Sequence, residues 1–257
     1  MNKQALKKYW LSPQAIAQVS GSSQGTQIKI FEDGYWYKQD VAGYEGEAEA
    51  LATIVLECSN VKNYVAYERC EVNGKAGCRS KHFLEPNETF LSIQRLYDMY
   101  EGGDLLGQIL PMDEVGERIE FVKDFVKQTT DLDYTEYFAF NCSLAYLILN
   151  IDLHFHNMGV IVNQLTGVCR EAPIFDNGKA FMSDYSVFPA GDDYEENLKR
   201  AYSKPFSSNF EMQAYTAGHL LKIDYDMLGE KLLNYPATRA RQVLEMQMKK
   251  CRSVFSL

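Results

Sequence analysis

Two short polar motifs in the second half of the chain carry residue types that can do chemistry. Residues 150–157 read N-I-D-L-H-F-H-N, and residues 176–178 read D-N-G. Phosphoryl transfer needs a carboxylate that orients and deprotonates the acceptor hydroxyl, together with oxygen ligands for Mg²⁺. Asp152 has the side chain for the first role, and Asn157 and Asp176 have side chains for the second. A D-x₄-N loop followed by D-x-G is typical of kinase catalytic and metal loops, so the motifs together predict phosphoryl transfer.

A strand lysine and a helix carboxylate are the next requirement, because the phosphates need a fixed cation and that cation needs a partner. Lys38 ends the strand-like run YWYK, and the helical run at 44–58 contains three glutamates, Glu45, Glu47 and Glu49. Helical geometry places Glu45 about 60° and Glu49 about 100° from the centre of the apolar stripe, with Glu47 on the opposite side. We therefore predict that Glu45 pairs with Lys38, with Glu49 as the alternative.

A glycine-containing segment precedes the first strand predicted in the N-terminal half of the chain. Residues 19–25 read V-S-G-S-S-Q-G. Gly21 and Gly25 allow the backbone to approach phosphates closely, and Ser22 and Ser23 lie between them, so this segment is the candidate phosphate-binding loop. Taken alone, it is equally consistent with a flexible turn.

The elements that must position these residues change in type along the chain. In the first half, short alternating runs predict strands at 27–31, 35–38, 63–72, 78–84 and 89–96, around the helix at 44–58. Asp33-Gly34 and Asn73-Gly74 predict hairpin turns. In the second half, helices are predicted at 112–127, 134–149 and 237–251, with a strand pair at 158–162 and 168–175. We predict an α+β chain with a β-rich lobe at 1–97, a mainly helical lobe at 98–257, and a ligand crevice between them.

Composition and charge exclude several classes of function. The chain has 257 residues, a formal net charge of −9 and a pI near 5.0, which argues against a surface that binds nucleic-acid phosphates. Its six cysteines show no C-x-x-C pair and no zinc-type spacing, so we expect reduced thiols. The N-terminal lysines are not followed by the apolar segment of a secretory signal, and the longest apolar stretch, 138–149, is too short to span a membrane. We expect a soluble protein that contacts neither nucleic acid nor membrane directly. It is expected to be cytoplasmic, or to be delivered to a host cell without a recognisable signal peptide.

Other chemistries are compatible with parts of this pattern. His154 and His156, with Asp152 and Asp176, could form a metal-hydrolase ligand set, but such a site normally needs a further well-spaced histidine. A small-molecule kinase similar to the aminoglycoside phosphotransferases would share an Asp and Asn loop, and a deep acidic substrate cavity would favour it. A non-catalytic nucleotide-binding module is the third alternative, although binding alone does not require Asp152.

The two polar motifs, the loop at 19–25 and the strand lysine Lys38 together resemble the HipA-like serine/threonine kinases, in particular the compact, stand-alone CtkA-type members. The resemblance covers about residues 17–180 and, more loosely, the helical tail. It implies a two-lobed, protein-kinase-like fold that uses ATP and Mg²⁺. Full-length HipA toxins carry an additional N-terminal subdomain, for which this chain has at most about 16 residues.

The resemblance also implies roles for individual residues. Asp152 becomes the catalytic base and Lys38 the phosphate-binding lysine. Asn157 and Asp176 become the metal ligands. His154, at the family's own histidine position, is expected to brace the catalytic loop through hydrogen bonds.

Further implications concern the nucleotide base, the partners and regulation. The adenine-binding connection between the lobes is expected to include Gln94, Leu96 and Tyr97. Family members often act as the toxin half of a toxin–antitoxin pair, which implies a protein substrate and an antitoxin or inhibitor as partner. They are controlled by phosphorylation of a serine near the glycine-rich loop, so autophosphorylation within 19–26 is expected to favour ejection of that loop.

Overall fold

The part of the chain that the structure describes, residues 6–12 and 28–256 of a computed structural model, contains two β-sheets and a set of helices. The larger sheet has the order β1-β4-β5-β3-β2 and consists of β1 (Lys7–Tyr9), β2 (Lys29–Glu32), β3 (Tyr35–Gln39), β4 (Tyr67–Val72) and β5 (Lys75–Lys81). The smaller sheet consists, in order, of β6 (Glu88–Ser92), β7 (Gly159–Asn163) and β8 (Cys169–Glu171). The helices are α1 (Glu45–Glu57), α2 (Ile93–Tyr100), α3 (Leu105–Ile109), α4 (Val115–Thr130), α5 (Thr135–Ile148), α6 (Tyr194–Leu198), α7 (Phe210–Thr216), α8 (Tyr225–Leu233) and α9 (Arg239–Phe255).

Two tight hairpins set the register of the larger sheet. The turns at Asp33-Gly34 and Asn73-Gly74 have positive φ at all four residues, between 48° and 78°, as two-residue hairpin turns require. Both hairpins were predicted from these residue pairs, and both are present. The first one pairs β2 with β3 so that Lys29 lies opposite Lys38. The two lysines are therefore directly opposite each other on adjacent strands of the sheet.

Helix α1 packs against this sheet at very short range. A Cβ atom at Gly46, in the first turn of α1, would lie 2.3 Å from the carbonyl carbon of Gly77 in β5. A Cβ atom at Gly77 would in turn lie 2.0 Å from the carbonyl oxygen of Lys38 in β3. Only glycine permits this stacking of helix on strand. It brings the acidic face of α1 close to the strand that carries Lys38.

The helical part of the chain is built around α5. Most of this helix is buried, and Phe138 and Leu147 are completely so. Leu149, which follows the helix, has a φ of 52°, and this left-handed residue turns the chain out of α5 into the polar motif at 150–157. The second motif, at 176–178, follows β8. The two sheets and α5 thus deliver both motifs to one region.

Most of the predicted elements are confirmed. The hairpins and the helices at 44–58, 112–127, 134–149 and 237–251 correspond to observed elements, although the strand predicted at 168–175 is shorter. The strand predicted at 89–96 is wrong in its second half. β6 ends at Ser92, whose hydroxyl accepts a hydrogen bond from the backbone N–H of Arg95 at 3.1 Å and caps α2. None of the described helices is long and apolar enough to cross a membrane.

Replacement of Gly46 by alanine should lower the free energy of unfolding by about 1–3 kcal/mol, because the added methyl group meets strand backbone that cannot rotate away. Gly229→Ala on α8 is the matched control, since an added Cβ there meets no atom within 4 Å. The control should leave stability unchanged or raise it by up to about 1 kcal/mol, because alanine favours helix. Urea denaturation followed by circular dichroism measures both. Equal effects would contradict the close packing of α1 on β5.

Candidate active site

Lys38 is the centre of the candidate site. Its Nζ atom lies 2.5 Å from Oε1 of Glu49 and 2.7 Å from Oδ1 of Asp176. The side chains of Lys38 and Glu49 are 7% and 0% exposed, so water hardly screens their attraction. The three residues come from β3, from α1 and from the segment that follows β8. The contact therefore ties together three separate parts of the fold.

Lys38 and Asp176 stabilise each other's charged form, whereas burial, together with the Asp176 carboxylate, raises the pKa of Glu49 despite its contact with Lys38. Burial by itself would lower the pKa of Lys38, but the carboxylates of Asp176 and Glu49 outweigh burial and hold that pKa well above its usual value. Burial would raise the pKa of Asp176, but Lys38 and then Lys29 outweigh it and hold that pKa well below its usual value. The Nζ atom of Lys29 lies 3.8 Å from Oδ2 of Asp176. At neutral pH, Asp176 is therefore an anion that two lysines share.

The prediction that Glu45 pairs with Lys38 is wrong. Glu45 is the first residue of α1, and its carboxylate accepts hydrogen bonds from the backbone N–H groups of Ala42 at 2.8 Å and Gly43 at 3.1 Å. The direction of the apolar stripe alone does not account for these N–H groups. They bind the carboxylate of Glu45 at the start of the helix, away from Lys38. Glu49 lies one turn later on the same face, and it reaches Lys38 instead.

Hydrogen bonds join the two polar motifs to each other and to α1. The backbone N–H of Asn177 donates to Oε2 of Glu49 at 2.8 Å, and Nδ2 of Asn150 donates to Oδ1 of Asn177 at 3.2 Å. Oδ1 of Asn150 accepts from the backbone N–H of Asp152 at 3.0 Å. Asp176 has a φ of 64°, which aspartate tolerates better than most residues. Asn150 and Asn177 were not predicted as site residues, although both lie inside the predicted motifs.

Asn157 presents a buried oxygen without a partner. Its Nδ2 donates to the backbone carbonyl of Asp152 at 3.2 Å, while Oδ1 has no hydrogen-bond partner. An unsatisfied buried polar atom costs about 1–3 kcal/mol, so this oxygen is available to a ligand. Within the described ranges, no group of three His, Cys, Asp or Glu side chains could hold a metal ion.

Asp152 faces a more open environment than Lys38 does. Its side chain is 39% exposed, and its Oδ1 lies 3.3 Å from Nζ of Lys204, while its Oδ2 lies 3.7 Å from Nε2 of His154. Burial lowers the pKa of His154, so its ring is neutral near pH 7 and Lys204 is the cation beside this carboxylate. The hydrogen bond by which His154 braces the loop comes from its backbone carbonyl, which accepts from Asn157 N–H at 2.9 Å. The ring Nδ1 is buried without a partner.

An aromatic cavity of about 120 Å³ opens beside Lys38. Its walls include Trp36, Tyr67, Phe83, Phe90 and Phe175, and its charged end consists of Lys29, Lys38 and Asp176. Phe90 meets Phe83 and Phe175 edge to face, with ring centroids 6.2 and 5.3 Å apart. A cavity of this kind can hold a flat ring against aromatic side chains while an anionic group reaches the lysines.

The residues predicted to form an adenine-binding connection do not line this cavity. Gln94 lies on α2, where its side chain accepts from Leu105 N–H and donates to the carbonyl of Gly103. Leu96 and Tyr97 are buried in the main hydrophobic core. The segment that lines the cavity is 82–84, between β5 and β6. The last strand of the larger sheet in chain order, β5, ends at Lys81, whereas the alternating run at 89–96 begins in β6 of the smaller sheet.

The predicted phosphate-binding loop, with Gly21, Ser22, Ser23 and Gly25, lies outside the described residues and stays a prediction. Strand β2 begins shortly after it and carries Lys29, which was not predicted as a site residue. The signal for Lys29 was available in the sequence. A two-residue turn fixes the register of a hairpin, and that register places Lys29 opposite Lys38.

Glu49→Gln should lower the free energy of unfolding by about 3 kcal/mol or more, because it leaves a buried ammonium group without one of its two charged partners. Glu57→Gln is a matched control on the same helix. Glu57 also lies 2.5 Å from a lysine, Lys231, but these two side chains are 39% and 38% exposed. Loss of an exposed pair should cost less than about 1 kcal/mol. Chemical denaturation of both variants tests this, and similar losses would contradict the central role of the buried pair.

No protein-family model and no curated protein matches this sequence. Among solved structures, the fold is similar to that in the crystal structure of the Helicobacter pylori proinflammatory kinase CtkA. The TM-score is 0.60 and the sequence identity 14%, and the match covers 89% of this chain and 90% of that chain. At this identity the likeness concerns the fold. The predicted fold class is confirmed: the chain has a mixed α+β, kinase-like fold with a β-rich lobe and a helical lobe.

Proposed function

We propose that the chain is an ATP-dependent kinase that transfers a phosphoryl group to serine or threonine hydroxyls of a protein. The observation that carries this proposal is the contact of Lys38 with both Glu49 and Asp176 at the charged end of an aromatic cavity. The adenine ring would pack on the aromatic walls, while the phosphates would extend toward Lys38 and Lys29. Held in place by Glu49, the ammonium group of Lys38 would offset phosphate charge without having to reorganise.

Asp152 is assigned the role of general base. It is 39% exposed and is not among the residues that line the cavity, so an acceptor hydroxyl can approach it while a nucleotide occupies the cavity. The backbone of Asp152 is held on one side by Asn150 and on the other by Asn157. Its carboxylate would accept the hydroxyl proton as the acceptor oxygen attacks phosphorus.

The residues present fit a magnesium ion. Oδ1 of Asn157 is buried and unpartnered, and Asp176 supplies a carboxylate that stays ionised. Mg²⁺ prefers oxygen ligands and keeps several waters, so one or two protein oxygens are enough when phosphate oxygens complete its shell. When bound, the ion would supply positive charge to the phosphates during transfer.

The charges around Asp152 favour a protein acceptor over a small polycationic one. Lys204 lies 3.3 Å from the carboxylate and would repel an aminoglycoside-like amine. An antitoxin partner and phosphorylation of a serine within 19–26 stay predictions.

Asp152→Asn should reduce phosphoryl transfer by about 10²- to 10⁴-fold and leave ATP binding unchanged, because the amide preserves shape but cannot accept the proton. Transfer of ³²P from γ-labelled ATP to dephosphorylated casein and to the chain itself measures turnover, and calorimetry measures binding. Asp226→Asn, at a 95% exposed side chain on α8, is the control and should retain full activity. Turnover of the Asp152 variant at the wild-type rate would refute the proposed mechanism.

Mg²⁺ should increase the thermal stabilisation that ATP gives to the wild type. Asp176→Asn should lose this Mg²⁺-dependent part, because the amide has no charge to offer the ion and is a weaker oxygen ligand. The measured quantity is the increase in Tm caused by ATP, with Mg²⁺ or with EDTA, relative to the Tm of each protein without nucleotide. An Mg²⁺-dependent increase of the same size in both proteins would contradict the assignment of Asp176 as a metal ligand.

A further inference from the structure

A lysine from a distant segment lies against the proposed base. Nζ of Lys204 is 3.3 Å from Oδ1 of Asp152, and the two residues are 52 positions apart in sequence. Among the described residues, Lys204 and His154 are the basic side chains within 4.0 Å of this carboxylate. Neither motif analysis nor helical periodicity singled out Lys204 as a site residue. Its position is a product of the tertiary fold.

The segment that carries Lys204 is held by one buried glutamine. Gln213 on α7 is 0% exposed, and its Nε2 donates to the hydroxyl of Ser203 at 2.8 Å and to the carbonyl of Lys204 at 2.7 Å. Its Oε1 accepts from the backbone N–H groups of Phe206 at 2.9 Å and Ser207 at 3.1 Å. All four hydrogen-bonding positions of the amide are therefore used on residues 203–207. An ordinary surface ion pair has no need of such a support.

The same segment packs directly on the loop that carries Asp152. Phe206 is completely buried, and its ring meets Phe155 with centroids 5.5 Å apart and Phe138 with centroids 5.3 Å apart. Phe155 lies between Asp152 and Asn157 in the polar motif. Arg118 donates to the carbonyl of Phe206 at 2.8 Å. Lys204 and Asp152 are thus fixed relative to each other by a common hydrophobic contact.

Lys204 supplies positive charge on a different side of the site from the other lysines. Lys29 and Lys38 line the cavity and share Asp176, whereas Lys204 is not part of the lining. A hydroxyl that gives its proton to Asp152 must lie about 2.6–3.2 Å from that carboxylate. The ammonium group of Lys204, in contact with the same carboxylate, is then within reach of the oxygens on the phosphorus that this hydroxyl attacks. Negative charge is spread over these oxygens in the transition state.

We propose that Lys204 is a catalytic residue that contacts the transferring phosphoryl group from the acceptor side. This inference rests on the proposed kinase function. In the step concerned, the acceptor oxygen forms a bond to the γ-phosphorus, the bond from that phosphorus to the β,γ-bridging oxygen breaks, and ADP leaves with the bonding electron pair. The hydroxyl proton passes to Asp152. The ammonium group of Lys204 binds the oxygens of the group in transit.

Lys204→Met tests the proposal, because methionine preserves the length of the side chain and removes the charge. We expect transfer to casein and to the chain itself to fall by about 10²-fold or more, as for loss of other transition-state donors. The Tm and the affinity for ADP with Mg²⁺ should not change. Affinity for ADP with aluminium fluoride and Mg²⁺, which mimics the group in transit, should fall at least about 10-fold, since only that mimic occupies the position which Lys204 contacts.

Two further variants separate catalysis from structure and from bulk charge. Lys204→Arg keeps the charge and should retain much more turnover than Lys204→Met. Lys199→Met removes a charge five residues away, from a side chain that is 68% exposed and paired with Glu196, and should behave as wild type. If the ion pair of Lys204 with Asp152 had only a structural role, Lys204→Met would weaken the binding of ADP and of the aluminium fluoride complex equally.

The outcomes distinguish this inference from the function on which it rests. Wild type that transfers no phosphate and binds no ADP–aluminium fluoride overturns the proposed function and this inference together. Wild type that does both, with a Lys204→Met variant equally active, overturns only the role of Lys204. Selective loss of turnover and of aluminium fluoride binding in Lys204→Met, with partial rescue by arginine, supports it.

Discussion

A buried ammonium group is stable only if opposite charge surrounds it. This requirement at Lys38 determines how β3, α1 and the segment after β8 are placed relative to one another. Neither Glu49 nor Asp176 is near Lys38 in sequence, so the ion pair exists only when β3, α1 and the segment after β8 have come together. The attraction is strong because water is nearly absent, and it would be lost if any of the three elements moved away. The β-rich part of the fold is thereby joined to the helical part through charge as well as through packing.

The remaining architecture keeps these charged groups in position. Gly46 and Gly77 let α1 approach the sheet closely enough for a glutamate to reach the strand lysine. Asn177 N–H binds the second oxygen of Glu49, and Asn150 extends that bond into the loop that carries Asp152. The nucleotide side and the acceptor side of the proposed site are consequently parts of one hydrogen-bonded framework.

The protein is acidic as a whole, with a net charge of −9, yet its proposed site gathers lysines. Lys29 and Lys38 meet at the charged end of the cavity because the hairpin register places them opposite each other. Their mutual repulsion is offset by Asp176, which contacts both. Lys204 adds a third positive charge beside Asp152. Such local concentration of cations is suited to a ligand with several negative charges.

The sequence alone determined the local structure and the residue types of the candidate site. The turn pairs predict both hairpins, apolar periodicity predicts the long helices, and the residue types in the two polar motifs indicate Asp152, Asn157 and Asp176 as site residues. Side-chain pairings that depend on contact between distant segments could not be predicted from the sequence. Glu49 rather than Glu45 pairs with Lys38 because nearby N–H groups bind Glu45. Lys204 reaches Asp152 only because buried aromatic packing and one glutamine bring a remote segment there, and no spacing rule encodes that contact.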